Sequence, residues 1–152
     1  KERLPSDWGE GYENVWLGVS VENQTNSDRR IGMLRQTPAK VRFLSIEPLI
    51  GAVNIGDYAR FIPFGFSYFV GKEIHWVIVG GESGNENGKY KYRPCELDWI
   101  RSIVRQCKEA EVPVFVKQLG THLAKEMKLK DAHGGDISEF PEDLRIREFP
   151  RR

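Results

Sequence analysis

Short apolar runs alternate along this chain with segments of roughly helical spacing. Residues 14–22 (Asn14-Val15-Trp16-Leu17-Gly18-Val19-Ser20-Val21-Glu22) are rich in Val and aromatic side chains and predict a buried strand. Asn23 or Thr25 can cap the segment that follows, where Ile31, Met33 and Leu34 predict a helix over residues 27–36, ended by Thr37-Pro38. Residues 41–47 form a second apolar run, closed by Pro48, and residues 49–57 read as a short helix or a turn. The clearest strand is 74–80. Pro94 stands where a helix would start, and Leu97, Ile100, Ile103, Val104 and Cys107 make a helical stripe through Ala110. Residues 112–118 are the fourth predicted strand.

Two stretches fit neither period. Residues 58–72 are dense in Phe, Tyr and Gly and read as an aromatic-rich insertion, a lid or an interface. Residues 119–152 read as a polar tail, broken by Gly134-Gly135 and Pro141, with an alternation at 144–150 that predicts a short edge strand. The first strand follows a polar opening with no start signal, so the chain is expected to be the C-terminal half of a larger protein, with residues 1–152 forming a single α/β domain. Strands alternating with helices predict βαβ units and a parallel sheet of about four strands. A sector of a TIM-type barrel and an open doubly wound sheet both satisfy that pattern.

Charge narrows the function classes. Lys and Arg number 23 against 22 Asp and Glu, for a net charge of +1. That balance gives no broad attraction to nucleic acid or to an anionic membrane, although it leaves room for a local basic patch. No apolar run approaches the length of a membrane span. The expected location is the cytoplasm, with Cys95 and Cys107 as reduced thiols. His75, His122 and His133 lack metal-ligand spacing. Trp8, Trp16, Trp76 and Trp99 are expected in the core or at its boundary.

Candidate chemistry gathers where the strands end. Ser20 and Glu22 close the first strand, and Ser45 and Glu47 the second. Gly80, Gly81, Glu82 and Ser83 close the third, and Lys117 and Gln118 the fourth. Residues i and i+2 share a face, so matched register would bring Glu22, Glu47, Glu82 and Lys117 to one mouth. Carboxylates facing a cation can hold a metal, orient an ammonium group or exchange protons. The plainer reading is that they cap helices and satisfy loop amides. Lys117 follows a run of apolar residues and is expected to be a buried ammonium with a carboxylate partner, with a Schiff-base role the less favoured alternative.

The strings NVWLGVSVENQ (14–24), RFLSIEPL (42–49), WVIVGGESG (76–84) and FVKQLG (115–120), in this order, resemble a phage-associated family of unknown function. Its members look like distant relatives of radical S-adenosylmethionine (SAM) enzymes. The resemblance covers residues 12–150 and implies the C-terminal half of a radical-SAM-like barrel. It implies that Ser20, Glu22, Ser45, Glu47, Gly80, Gly81, Glu82, Ser83, Lys117 and Gln118 line a pocket for SAM and substrate. Members usually carry a further N-terminal region with cysteines for a [4Fe-4S] cluster, and this chain has no such set of cysteines. SAM and the cluster are therefore expected for the full-length protein, and the chain by itself is expected to be inactive. Its expected partners are the missing N-terminal region and a second copy, paired through exposed strand edges. The alternatives are a non-catalytic nucleotide- or protein-binding module of phage origin and a carboxylate enzyme using Mg²⁺ or Mn²⁺.

Overall fold

A computed structural model of the chain describes residues 4–56 and 74–150. The aromatic-rich insertion expected at 58–72 lies outside the described residues. The elements run β1 (Trp16–Ser20), α1 (Gln24–Arg35), β2 (Val41–Ile46), β3 (Trp76–Gly80), α2 (Leu97–Glu109), β4 (Val114–Gln118) and α3 (Gly120–Glu126). The strands are one to four residues shorter than the apolar runs that predicted them. α1 begins three residues before the predicted helix because Asn23 is the cap that forms, its side chain accepting from the Asn26 amide at 3.0 Å. Residues 49–56 are irregular, with no helix.

All strand pairs are parallel and the order is β1-β2-β3-β4. This is an open α/β sheet, and the four described strands close no barrel. Register places Leu44 beside Val77 and Val114, and Ile46 beside Val79 and Val116. Those six side chains are buried in one continuous core with Ile31 and Leu34 of α1 and Ile100 and Ile103 of α2. Both helices therefore cover the same face. α1 packs on β1 and β2, and α2 on β3 and β4.

The other face carries Trp16, Phe43, Trp76 and Phe115, joined by Phe149. Trp76 is the hub, its ring centroid 5.3–6.0 Å from those of the other four. Its Nε1 donates to the Glu148 carbonyl at 2.8 Å. Trp8 is buried, and Trp99 packs against the core. Cys95 and Cys107 are free and buried.

The region expected to be a polar tail belongs to the core. Leu119, Phe140 and Leu144 are at most 1% exposed, and Leu123 packs with them. The chain reverses through α3 and two 3₁₀ turns, Ile137–Glu139 and Glu142–Leu144, which aim isolated apolar residues inward. It then runs antiparallel along the outer side of β4. Val116 N donates to Ile146 O at 2.9 Å and Glu148 N to Val114 O at 3.0 Å. The expected edge strand is thus a short bridge that covers one margin of the sheet. β1, at the other margin, has no further strand beside it among the described residues. No helix among them is long and apolar enough to cross a membrane.

Candidate functional site

Parallel strands place all their C-terminal ends together. Glu47 leaves β2 and Lys117 lies near the end of β4, two strands away. Their side chains meet across the end of β3, Lys117 Nζ lying 3.0 Å from Glu47 Oε1. Gly80 and Gly81 make this possible, since neither presents a side chain in the way. A bulge helps: Val79 pairs with Val116 but Gly80 pairs with Gln118, so Lys117 is the extra residue. Contrary to the sequence expectation, the Lys117 ammonium is not buried. Its side chain is 54% exposed and that of Glu47 is 15% exposed.

The floor is close-packed backbone. Gly81 N donates to Gln118 O at 3.1 Å, and Gln118 Nε2 returns to Gly81 O at 2.8 Å. A Cβ on Gly81 would sit 2.1 Å from Leu119 O. Gly120, on the facing strand end, has φ +85°, a conformation suited to glycine. Above this floor is a cleft of about 310 Å³, lined by Glu47, Pro48, Gly81, Glu82, Ser83, Lys117 and Gln118.

Six of the ten predicted site residues line this cleft and four do not. Gly80 is buried in the sheet, and Ser20 and Ser45 pair in register below the mouth. Glu22 turns to α1, accepting from Asn26 Nδ2 at 2.7 Å and pairing with Arg30 at 2.9 Å. Burial alone would raise its carboxyl. Its own backbone amide, Arg30 and Asn26 outweigh that and hold it below the usual range.

Glu82 is gripped by Arg93, which the sequence reading passed over. The Arg93 guanidinium donates to both carboxylate oxygens at 2.7–2.8 Å, and its backbone amide donates to Oε2 at 2.7 Å. The hydrogen bond to Glu82 is in turn the main cause raising the Arg93 guanidinium above its ordinary value. Each of the three carboxylates thus has its own cation. Among the described residues no group of three His, Cys, Asp or Glu is placed to hold a metal ion. The cleft's chemistry is that of a dipolar site. An incoming carboxylate can take Lys117, and an ammonium or hydroxyl can take Glu47.

A larger hollow, about 790 Å³, lies at the opposite ends of β3 and β4, lined by His75, Cys107, Pro113 and Glu148 among others. Its lining also carries the charged side chains of Lys108 and Glu111. The strand-end rule for parallel sheets favours the smaller cleft.

A family model described as "Protein of unknown function (DUF5131)" matches residues 1–140. The chain belongs to that family. No curated protein and no solved structure matches it. Membership agrees with the sequence resemblance as far as a family of unknown function.

Arg30 and Arg93 are the additions that the DUF5131 structure makes to the predicted site. They stand eight and eleven residues beyond the carboxylates they bind, on a helix and a loop whose packing brings them back. No local spacing rule marks them. The Arg93 pairing gives a pH dependence. Hydrogen bonding from Arg93 is the main cause holding the Glu82 carboxyl below its ordinary value. Its stabilising contribution is complete above the ordinary carboxylate range and is lost as pH falls through that range toward the lower folded value. Glu82→Gln in the DUF5131 chain is expected to cost about 1 kcal/mol at neutral pH and progressively less on acidification. Thermal melts at pH 7, 5, 4 and 3 check this through the convergence of the two curves.

Proposed function

We propose that this chain is the substrate- and SAM-contacting part of a radical-SAM-like enzyme of phage type. The observation that carries the reading is the Glu47–Lys117 pair, spanning a glycine-lined strand end in a cleft at the C-terminal ends of a sequentially ordered parallel sheet. Strand order without reversal, with both helices on one face, is what a barrel sector has. A doubly wound sheet reverses its order and carries helices on both faces. In that reading the aromatic face is the barrel interior, and a preceding region adds its strands at β1. A second copy pairing at the same margin is the other partner this reading admits.

The donor set suits the methionyl end of SAM. Lys117 offers an ammonium to the α-carboxylate and Glu47 a carboxylate to the α-ammonium. When bound, SAM supplies the radical chemistry, and this chain's residues bind and orient it. The described residues do not fit the iron-sulfur cluster. A cluster needs several thiolates. Cys95 and Cys107 are buried, their thiols pushed up to about 12, and no metal-holding group surrounds them. The cluster's ligands belong to the N-terminal region that the resemblance implies.

The test is anaerobic reconstitution of the protein carrying that region, followed by reduction with SAM present and an assay for 5′-deoxyadenosine. Product formation, reduced at least tenfold by Lys117→Met with the cluster spectrum unchanged, is the expected result. A protein that assembles no cluster yet binds a nucleotide through the same cleft would replace this reading with that of a non-catalytic binding module. The third alternative, a Mg²⁺ or Mn²⁺ carboxylate enzyme, has no support in a site where every carboxylate is matched by a cation.

A further inference from the structure

The loop between β3 and α2 carries an alternation that the cleft does not use: Lys89-Tyr90-Lys91-Tyr92-Arg93. Three cations and two phenol rings occupy five consecutive positions with no acid among them. The overall charge of +1 conceals this local concentration.

The loop is built to project. The Asn85 amide donates to Tyr90 O at 2.7 Å, and the Tyr92 amide donates to Asn85 O at 3.2 Å, so the intervening residues are pinched into a closed turn. Its two ends are fixed to the body of the protein. Arg93 holds Glu82 inside the cleft. From α3, Lys125 pairs with Glu86 and lies 5.3 Å from the Tyr92 ring centroid. Tyr90 is left outward at 68% exposure, the most exposed large hydrophobic side chain among the described residues. Lys89 Nζ lies 5.6 Å from its ring centroid. Lys89 and Lys91 are exposed and have no acidic partner among the described residues.

An aromatic ring held in water beside unpaired ammonium groups is complementary to one kind of ligand, a polyanion that also carries planar faces. Stacking needs a base free of its partner, because a duplex offers no such face along its length. We infer that this loop binds single-stranded nucleic acid. Tyr90 stacks on an unpaired base, Lys89 and Lys91 take flanking phosphates, and the strand is led past Arg93 to the cleft. This binding does not depend on the radical-SAM reading, since it is measured without cluster or cofactor.

The test is fluorescence anisotropy of the chain with a labelled twelve-residue oligothymidylate and the matching oligouridylate, across a salt series. Both strands, or one of them, bind, and the preference identifies DNA or RNA. Two phosphate contacts give a slope of log affinity on log salt of about −1.4. Tyr90→Ala weakens binding by roughly five- to a hundredfold, and Tyr90→Phe keeps it. Lys89→Gln with Lys91→Gln flattens the salt slope. All these positions are exposed, so melting temperatures stay unchanged and confirm that the variants fold. No binding to either strand overturns the inference. So does binding that Tyr90→Ala leaves intact, or a preference for the same sequence as a duplex.

Discussion

Gly81→Ala is expected to lower stability by about 3 kcal/mol or more, while Gly32→Ala raises it by roughly 1 kcal/mol. The contrast isolates a steric cause. A methyl on Gly81 meets Leu119 O at 2.1 Å, Leu119 C at 2.9 Å and Gly120 Cα at 3.2 Å. All three atoms are backbone, so no rotamer change relieves the overlap, and the ends of β3 and β4 must part. A methyl on Gly32 meets nothing within 4 Å and removes glycine's helix penalty in α1. Denaturant unfolding of the two variants beside the parent chain checks both signs. Because the Gly81 floor also sets the span between Glu47 and Lys117, any folded Gly81→Ala protein is expected to lose ligand binding at the cleft. A Gly81→Ala chain as stable as the parent would show that the strand ends are not packed as described.

Phe140→Ala is expected to cost about 3–5 kcal/mol, a drop of roughly 10 °C in melting temperature. Phe140 is 1% exposed and packs with the sheet-facing core. Phe149, 60% exposed on the aromatic face, provides the comparison. Its replacement by Ala is expected to cost under about 1 kcal/mol, since most of its surface already meets water. Thermal melts of both variants decide whether residues beyond β4 are part of the cooperative unit. Equal, small effects would return them to the status of a loose tail.

The strands were legible because a sheet buried against helices selects uninterrupted Val, Ile and aromatic runs, as at 76–80. The stripe of α2 was legible for the same reason, and Ile100, Ile103, Val104 and Cys107 are all buried. α1 was harder. Its first turn, Gln24 to Ser27, is polar, and Met33, counted with its apolar residues, is 54% exposed. α3 was missed because it is short, starts at a glycine and buries only Gly120, Thr121, Leu123 and Ala124. Phe140 and Leu144 stand singly in polar surroundings, so periodicity could not place them. In the cleft, strand-end position found Glu47, Glu82 and Lys117, because parallel register carries position directly into space. It could not find Arg30 or Arg93, which reach their carboxylates through tertiary packing.

Among the described residues, the bridge of residues 146–148 along β4 leaves the sheet with a valence of one. Hydrogen-bonded growth is barred where the bridge lies and open at β1. A preceding strand of the same polypeptide would spend that valence. Two copies meeting at β1 would spend both of theirs and leave no place for a third. Among the described margins, strand addition is thus confined to one site per chain, which favours a completed fold or a discrete pair over an extended array.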